Sequence, residues 1–565
     1  MITPRIFPAQ NFYTRQSGFN QANYSRNPAF EARFPNGLKK PRHIKSSFAY
    51  KDMLKYNPRR YNFGKYAIPV HNEGIAQHLK ANYTSESFSE LFNFARKKGT
   101  FDYILDDKTG FVKTSFINRK ENPLMSDLIW ITDTCHNLEL VKHYQPEKSV
   151  EVFNKMTDFY AAQQHKFDET ISNPSMYKKN GFWPQETKYG VGHCFVPKTK
   201  KPHIWFANTR LESTGLYLQT AADMIKNGFA GAKYGYKTAE EIPDKVINSI
   251  SNIVKYLKSI NYPQARSCGA WEEQTFVNSL TSDTGIINQG MRQVLELMYS
   301  PSENKNILNF RNRMLASKHG DVFNNKKELF ELLKSGEERI ITQPDIETSR
   351  GFYSKKVNPW EEKCLSRDFD AAMSFMLQTE KLDPANIQKD AVKRLSILKQ
   401  LGRELVRDNG MIRYKNDEYL NLDYHKINNK WTDNKHKNEA EWFLVSEISS
   451  AYGNILKDLL SNIEKTKQIT SLDKKLLDIA LNGQTEYINR AYARIAGKNM
   501  VKSNGYQSIG YKVPEAYEAV TLNNGHIKYI PGAHPLTWAA SSLHKASKLF
   551  EENLKKLECI NINGI

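Results

Sequence analysis

The sequence predicts an all-α fold, a closed α/α toroid in preference to an open helical solenoid, preceded by a basic and largely irregular N-terminal extension. Three observations carry this. From about residue 126, apolar residues recur at three- and four-residue spacing in many separate stretches, the period of helices with a buried face. The connections between these stretches are often long and polar, and strand-like alternation is rare. No repeat of fixed period runs through the chain, which favours closure over the stacking of tetratricopeptide or ankyrin units.

Taken in order, the periodic stretches are 149–167, 210–227, 242–260, 273–299, 369–379, 385–406, 440–461, 472–496 and 536–552. In a closed barrel the inner helices bury both sides, and the loops at one end form a pocket. The charged stretch 301–365 is not assigned to an element. Residues 1–125 read as an extended basic leader followed by a small irregular region that can pack on the main body, with helical periodicity first at Ser85–Lys98, and 126–560 as the barrel. The first sixty residues hold twelve Lys and Arg against only Glu31 and Asp52. Phe12, Tyr13, Phe19, Tyr24, Phe30 and Phe34 in that leader could anchor it over the domain surface.

At 565 residues the chain exceeds what one ordinary core supports, so two domains or one large repetitive one is expected. The five cysteines are scattered and form no C-x-x-C, which points to reduced thiols. Cys135–His136 and His193–Cys194 lack the looped spacing of a structural zinc site, so no metal and no cofactor is expected. About half of the net charge of +20 sits in the leader, without any zinc-finger, ribonucleoprotein or helix-turn-helix signature, so no specific nucleic acid partner is expected. With neither a secretory h-region nor a run of ~20 apolar residues, a cytoplasmic location without a membrane span is expected.

Four segments could carry chemistry. Ser267-Cys268-Gly269-Ala270-Trp271-Glu272-Glu273-Gln274 places two acids on a turn before a helix. Acids there are ordinarily dipole partners. A flanking indole, however, can stack on a sugar's C–H face and desolvate a neighbouring carboxyl, raising its pKa as a general acid requires. Val513-Pro514-Glu515-Ala516-Tyr517-Glu518, followed by Leu536-Thr537-Trp538, offers a second acid, and Pro514 and Pro531 mark that region as a loop. Arg413 and Asp417, four residues apart beside aromatics, can form a fork for sugar hydroxyls, and Trp442-Phe443-Leu444 follows at the head of a helix. Trp205-Phe206-Ala207-Asn208-Thr209-Arg210-Leu211-Glu212 heads another.

In this order and approximate spacing, the four segments resemble glycoside hydrolase family 15, the glucoamylase-like enzymes. Their local wording is similar to the phosphorylase kinase α and β subunits: Ser-Cys-Gly-x-Trp-Glu, an Arg-x-x-x-Asp-x-Tyr stretch, x-Glu-x-Glu-Trp and Val-Pro-Glu-x-Tyr. The resemblance covers roughly residues 126–555 and implies an (α/α)6, six-hairpin toroid. It implies an inverting hydrolase releasing glucose from non-reducing ends of α-glucans or maltooligosaccharides, with Glu272 as general acid and Glu515 as general base. Glu273, Arg210, Glu212, Arg413 and Asp417 would bind substrate, and Trp205, Trp271 and Trp538 would wall the pocket. Inversion needs the two carboxyls about 6.5–9.5 Å apart. The kinase-subunit likeness implies the alternative, a non-catalytic glucan-binding or regulatory module; a carbohydrate-processing transferase is a third expectation. One departure stands out. The family places an acid directly after its clamping Arg, whereas here Leu211 intervenes before Glu212, a rotation of about 100° on a helix.

Overall fold

A computed structural model describes residues 57–114, 128–175, 177, 190–202, 209–265, 267, 269–271, 280–342, 369–378, 381–415, 417, 421–425, 430–433, 439–497, 502–503, 506–507, 510–521 and 526–560. Besides a single helical turn at Glu73–Ala76, its helices are α1 (Ser85–Lys97), α2 (Ile131–Tyr144), α3 (Ser149–Ala162), α4 (Gln164–Ser172), α5 (Leu211–Phe229), α6 (Asp244–Ser259) and α7 (Thr281–Tyr299). Then follow α8 (Lys305–Ala316), α9 (Lys326–Thr342), α10 (Met373–Leu377), α11 (Ile387–Leu405), α12 (Val445–Thr466), α13 (Ser471–Ala493) and α14 (Thr537–Ile560).

Six of these form a closed inner ring, in which α2 packs on α5, α5 on α7, α7 on α10, α10 on α12, α12 on α14, and α14 back on α2. Outer helices back them: α3 lies on α2, α6 on α5, α9 on α7, α11 and α13 on α12, and α1 on α14. This is the (α/α)6 toroid the sequence predicts. The segments that lead into α5, α7, α10, α12 and α14 are hydrogen-bonded to one another, so these inner helices begin at one end of the ring.

The two layers differ as their surroundings require. Outer α6 buries Val246, Ile247, Ile250, Ile253, Val254 and Leu257, a stripe at three- and four-residue spacing. Inner α7 is buried nearly all round, with Thr281, Ser282, Asp283, Thr284, Asn288 and Gln289 covered beside its apolar residues. Where α5 crosses α7 the backbones nearly touch. A Cβ on Gly290 would run into the Gly215 carbonyl oxygen, so only glycine fits. Two outer helices carry reciprocal capping boxes, Thr84 with Ser87 and Thr470 with Asp473. Among the described residues, no helix is long and apolar enough to cross a membrane.

Three features differ from the sequence expectation. Helix α2 was not expected as an element, because Thr132, Asp133, Thr134 and Asn137 blur its apolar period while being buried. Stretch 301–365 contains α8 and α9. Residues 513–535 are not a loop but a hairpin within a seven-stranded sheet.

The strands, in chain order, are β1 (Arg59–Asn62), β2 (Ala67–Val70), β3 (Ile129–Trp130), β4 (Cys194–Val196), β5 (Lys201–Pro202), β6 (Val406–Arg407), β7 (Gly410–Met411), β8 (Asn421–His425) and β9 (Lys430–Asp433). They continue with β10 (Glu441–Trp442), β11 (Lys502–Ser503), β12 (Tyr506–Gln507), β13 (Pro514–Thr521) and β14 (Ile527–Pro535). The sheet runs β6-β7-β10-β13-β8-β9, with β14 also pairing with β13. Pro514 opens β13, and Pro531 and Pro535 lie on β14, whose one ladder partner among the described residues is β13; these are the positions a sheet tolerates proline. The segment from β1 to α1 is not detached from the ring. The β2 strand packs on α13, and Phe88 meets Phe550 of α14 edge-on at 4.7 Å between centroids.

Candidate active site at the start of the inner helices

The sequence-predicted segments with described residues lie in the connections that lead into inner helices, and hydrogen bonds lace these segments into one layer. Leu211 N–H, at the start of α5, donates to Ser267 Oγ before α7 (3.1 Å). Trp271 Nε1–H donates to Asp370 Oδ1 before α10 (2.8 Å). Ala371 N–H donates to the Arg413 carbonyl before α12 (2.8 Å), and Phe443 N–H to the Glu515 carbonyl before α14 (3.1 Å). Gly269, at φ +67°, makes the turn that delivers Trp271, a backbone state L side chains rarely adopt.

Arg413 and Asp417 are paired, with Nη2 donating to Oδ1 at 2.5 Å and Nε to Oδ2. Their side chains are 5% and 1% exposed, so this two-bond fork is sealed from water. The guanidinium lies over the rings of Trp442 (5.2 Å), Trp271 (5.6 Å) and Tyr414 (5.5 Å). From Trp271 an aromatic chain continues through Phe375 (5.9 Å) to Trp538 (5.5 Å), which meets Phe443 (5.3 Å) and stacks on His136 (4.5 Å, 16°). Thus Trp271, Arg413, Asp417 and Trp538 share one floor.

Arg210 and Glu212 belong to a neighbouring group beneath it. Arg210 is the residue before α5, in extended backbone, and both Nε and Nη2 meet Glu212 Oε1 in the first turn. Both side chains are buried, as is the intervening Leu211. The inserted leucine therefore fills core while the acid turns back onto its own arginine. Asp283 of α7 is buried beside them. Desolvation, reinforced by the Glu212 charge and opposed by Ser267, Arg210 and Arg339, pushes its carboxyl well above the ordinary range.

Glu515 is buried (1% exposed) near the start of β13. The β13–β14 register slips there: Pro514 faces Pro535 and Ala516 faces Gly532, so Glu515 stands opposite two residues, 533 and 534. Such a bulge breaks the strict alternation of faces and re-aims a side chain, and bulges are enriched beside active sites. The neighbouring strand β10 pairs Glu441 with Tyr517 and Trp442 with Ala516.

Residues not anticipated as part of the site include Asp370, Phe375, Asp283, Glu441 and Arg494. Glu441 is buried and accepts from Asn409 N–H; desolvation raises its pKa to about 7. Arg494, also buried, donates to the Asn409 carbonyl (2.5 Å) and lies 5.3 Å over the Tyr517 ring. Its pKa falls to about 10 through burial. The signal for Glu441 was present in the Glu-Ala-Glu-Trp wording. Asp370 carried none beyond an acid preceding an apolar run. Trp205, Glu272 and Glu273 lie outside the described residues. Among the described residues, no group of three or more His, Cys, Asp or Glu could hold a metal ion.

The class the fold defines is the (α/α)6 toroid. The chain is similar to a solved glucoamylase from Saccharomycopsis fibuligera, with a TM-score of 0.51 and 12% identity over 84% of this chain and 98% of that one. Two further solved structures, a wild-type glycosidase and a glycosidase variant in complex with glucose, align at a TM-score of 0.46 and 11% identity, over 83% of this chain and 99% of each. No protein-family model matches the sequence, and no curated protein matches it.

Proposed function

We propose that the chain is a glycoside hydrolase acting on α-glucans with inversion, and that residues 126–560 are the unit that carries the chemistry. The observation that supports this most directly is the lacing of the Ser267–Trp271, Arg413–Asp417, Glu441–Phe443 and Glu515 segments at the common starting end of the inner helices. Segments far apart in sequence, chosen for carbohydrate chemistry, meet in one layer on a fold shared with a glucoamylase. In this reading Glu272, next to the Trp271 indole, protonates the glycosidic oxygen as the bond to C1 breaks. Glu515 takes a proton from a water that attacks C1 from the opposite face, which inverts the anomeric centre. Glu273 binds hydroxyls, and Trp205, Trp271 and Trp538 supply apolar walls.

Besides the substrate contacts expected of them, the buried pairs brace the site. Arg413 and Asp417 hold Trp271 and Trp442 in place through the guanidinium they sandwich. Leu211 N–H holds Ser267 Oγ and so braces the Ser267–Trp271 turn, while Glu212 turns onto Arg210. That last observation is also what favours the second reading, a glucan-binding regulatory module that does not hydrolyse.

Glucose release from maltooligosaccharides by wild type, Glu272→Gln and Glu515→Gln tests the assignment. Loss of a general acid or base is expected to cost about 10²–10⁴-fold in rate. Equal release by all three proteins would overturn the roles of both carboxyls. Binding of maltooligosaccharide by wild type without any release would favour the regulatory reading. Polarimetry on the active enzyme reports the anomer first formed, and retention would overturn the inverting mechanism.

A further inference from the structure

The ring encloses a second feature that the proposed hydrolysis does not use. A cavity of about 760 Å³ runs down the axis from the underside of Arg210, Phe375 and Trp538. Along α5 its lining extends from Glu212 to Asn227, a path of about 22 Å at 1.5 Å per residue. It therefore leads away from the site layer, towards the C-terminal ends of the inner helices. There it is bounded by exposed Lys226, Lys381 and Lys457.

Its chemistry is polar and cationic. Eight basic and four acidic side chains line it. Some of that charge is internally satisfied: Lys142 bridges Glu139 and Asp223 at 2.9 Å each, and Arg210 pairs with Glu212. Lys545 is different. It enters midway along the cavity from the third turn of α14, its Nζ donates to Gln378 Oε1 (3.2 Å), and no carboxylate lies within ion-pair distance among the described residues. The nearby Glu447 is buried and hydrogen-bonded by Ser542 (2.5 Å), and burial pushes its carboxyl above the usual range against the opposing Lys545 charge. Lysines at helix C-termini have an ordinary role opposite the macrodipole, which accounts for Lys226 in the last turn of α5. It does not account for Lys545; Lys457, in the middle of α12, pairs with Glu552 at 3.6 Å. The remaining lining is rich in hydroxyls and amides, including Thr220, Ser541, Gln219 and Gln289.

We propose that this axial cavity is a binding site for a small phosphorylated sugar, with Lys545 as its inner anion contact, the rim lysines drawing the ligand in, and the hydroxyl and amide groups meeting the sugar. A cavity of this volume suits a ligand of that size.

Calorimetric titration of the full chain with glucose-6-phosphate, glucose and inorganic phosphate tests it. Saturable binding of the sugar phosphate is expected, tighter than of either fragment. Lys545→Met removes a charged hydrogen bond and should weaken it about tenfold or more. Lys381→Glu, on an exposed residue that folding does not need, should weaken it by electrostatics and alter its salt dependence. Glu515→Gln should leave it unchanged, which separates this site from the hydrolytic one. Absence of saturable binding at millimolar sugar phosphate would overturn the proposal. So would full affinity in both lysine variants, equal affinity for unphosphorylated glucose, or loss of binding in Glu515→Gln.

Discussion

Replacing Glu441 by glutamine keeps the shape of the side chain and an oxygen able to accept from Asn409 N–H, but removes its titration. In the folded protein this carboxyl, 2% exposed, has its pKa raised by desolvation to about 7, from an ordinary value near 4.5. The folded state thus holds a proton that the unfolded chain releases first. Between those two pKa values the native state binds more protons than the unfolded one, so stability falls as pH rises. The contribution is fully present below about pH 4.5 and is lost by the time pH passes 7. A gap of about 2.5 units corresponds to about 3 kcal/mol at 1.36 kcal/mol per unit. His71 lies against the Tyr517 ring at 4.1 Å, tilted by 33°, and burial lowers its pKa to about 3; it titrates in both proteins and cancels in the comparison. The assay is the urea midpoint, followed by tryptophan fluorescence, for wild type and Glu441→Gln in steps from about pH 4 to about pH 8.5. The variant should match wild type in acid and exceed it progressively above pH 5, gaining about 3 kcal/mol by pH 8. Parallel curves for the two proteins would refute the reasoning, since the carboxyl would then titrate alike folded and unfolded.

Other substitutions test the frame of the site. Arg413→Ala leaves Asp417 buried without its fork and should destabilise the protein by about 3–5 kcal/mol in the same assay. It should also alter the emission of Trp271 and Trp442, whose rings the guanidinium faces; an unchanged spectrum would argue against the sandwich. Gly290→Ala drives a methyl into the Gly215 carbonyl oxygen, so α5 and α7 must part, at a cost of about 1–3 kcal/mol in thermal or urea unfolding. Gly269→Ala forces a left-handed backbone state costing about 1–2 kcal/mol, and should reduce glucose release more than global stability, because the turn that delivers Trp271 is what moves.

The sequence made the toroid legible where helices have a dry side and a wet side. Outer α6 and α13 announce themselves because one stripe is apolar. Inner α2 does not, since its Asp133, Thr134 and Asn137 are buried against other protein groups rather than exposed to water, and polarity stops reporting orientation. Of the residues singled out by their wording, Trp271, Arg413, Asp417 and Trp538 meet in one layer. Their geometry was not legible. Pro514 and Pro531 read as loop punctuation, whereas they sit at a strand start and on an edge strand, where a missing N–H is harmless. Nor does the spacing of Arg210 and Glu212 reveal that the pair closes on itself, because a two-residue separation at a helix start depends on the extended backbone of Arg210.

The manner of ring closure also orders events in time. Ser541 Oγ donates to the His136 carbonyl across 405 residues, and Thr537 Oγ1 to the Lys113 carbonyl across 424. As the chain leaves the ribosome, α2 therefore presents an unmatched flank until α14 has emerged, and the strand bearing Glu515 arrives only shortly before it. For most of its synthesis the polypeptide is an open crescent with a seam of buried-type polar groups facing solvent. Contacts of such long sequence separation form late and slowly. The seam between α2 and α14 is thus the last junction of the ring that a nascent chain can complete.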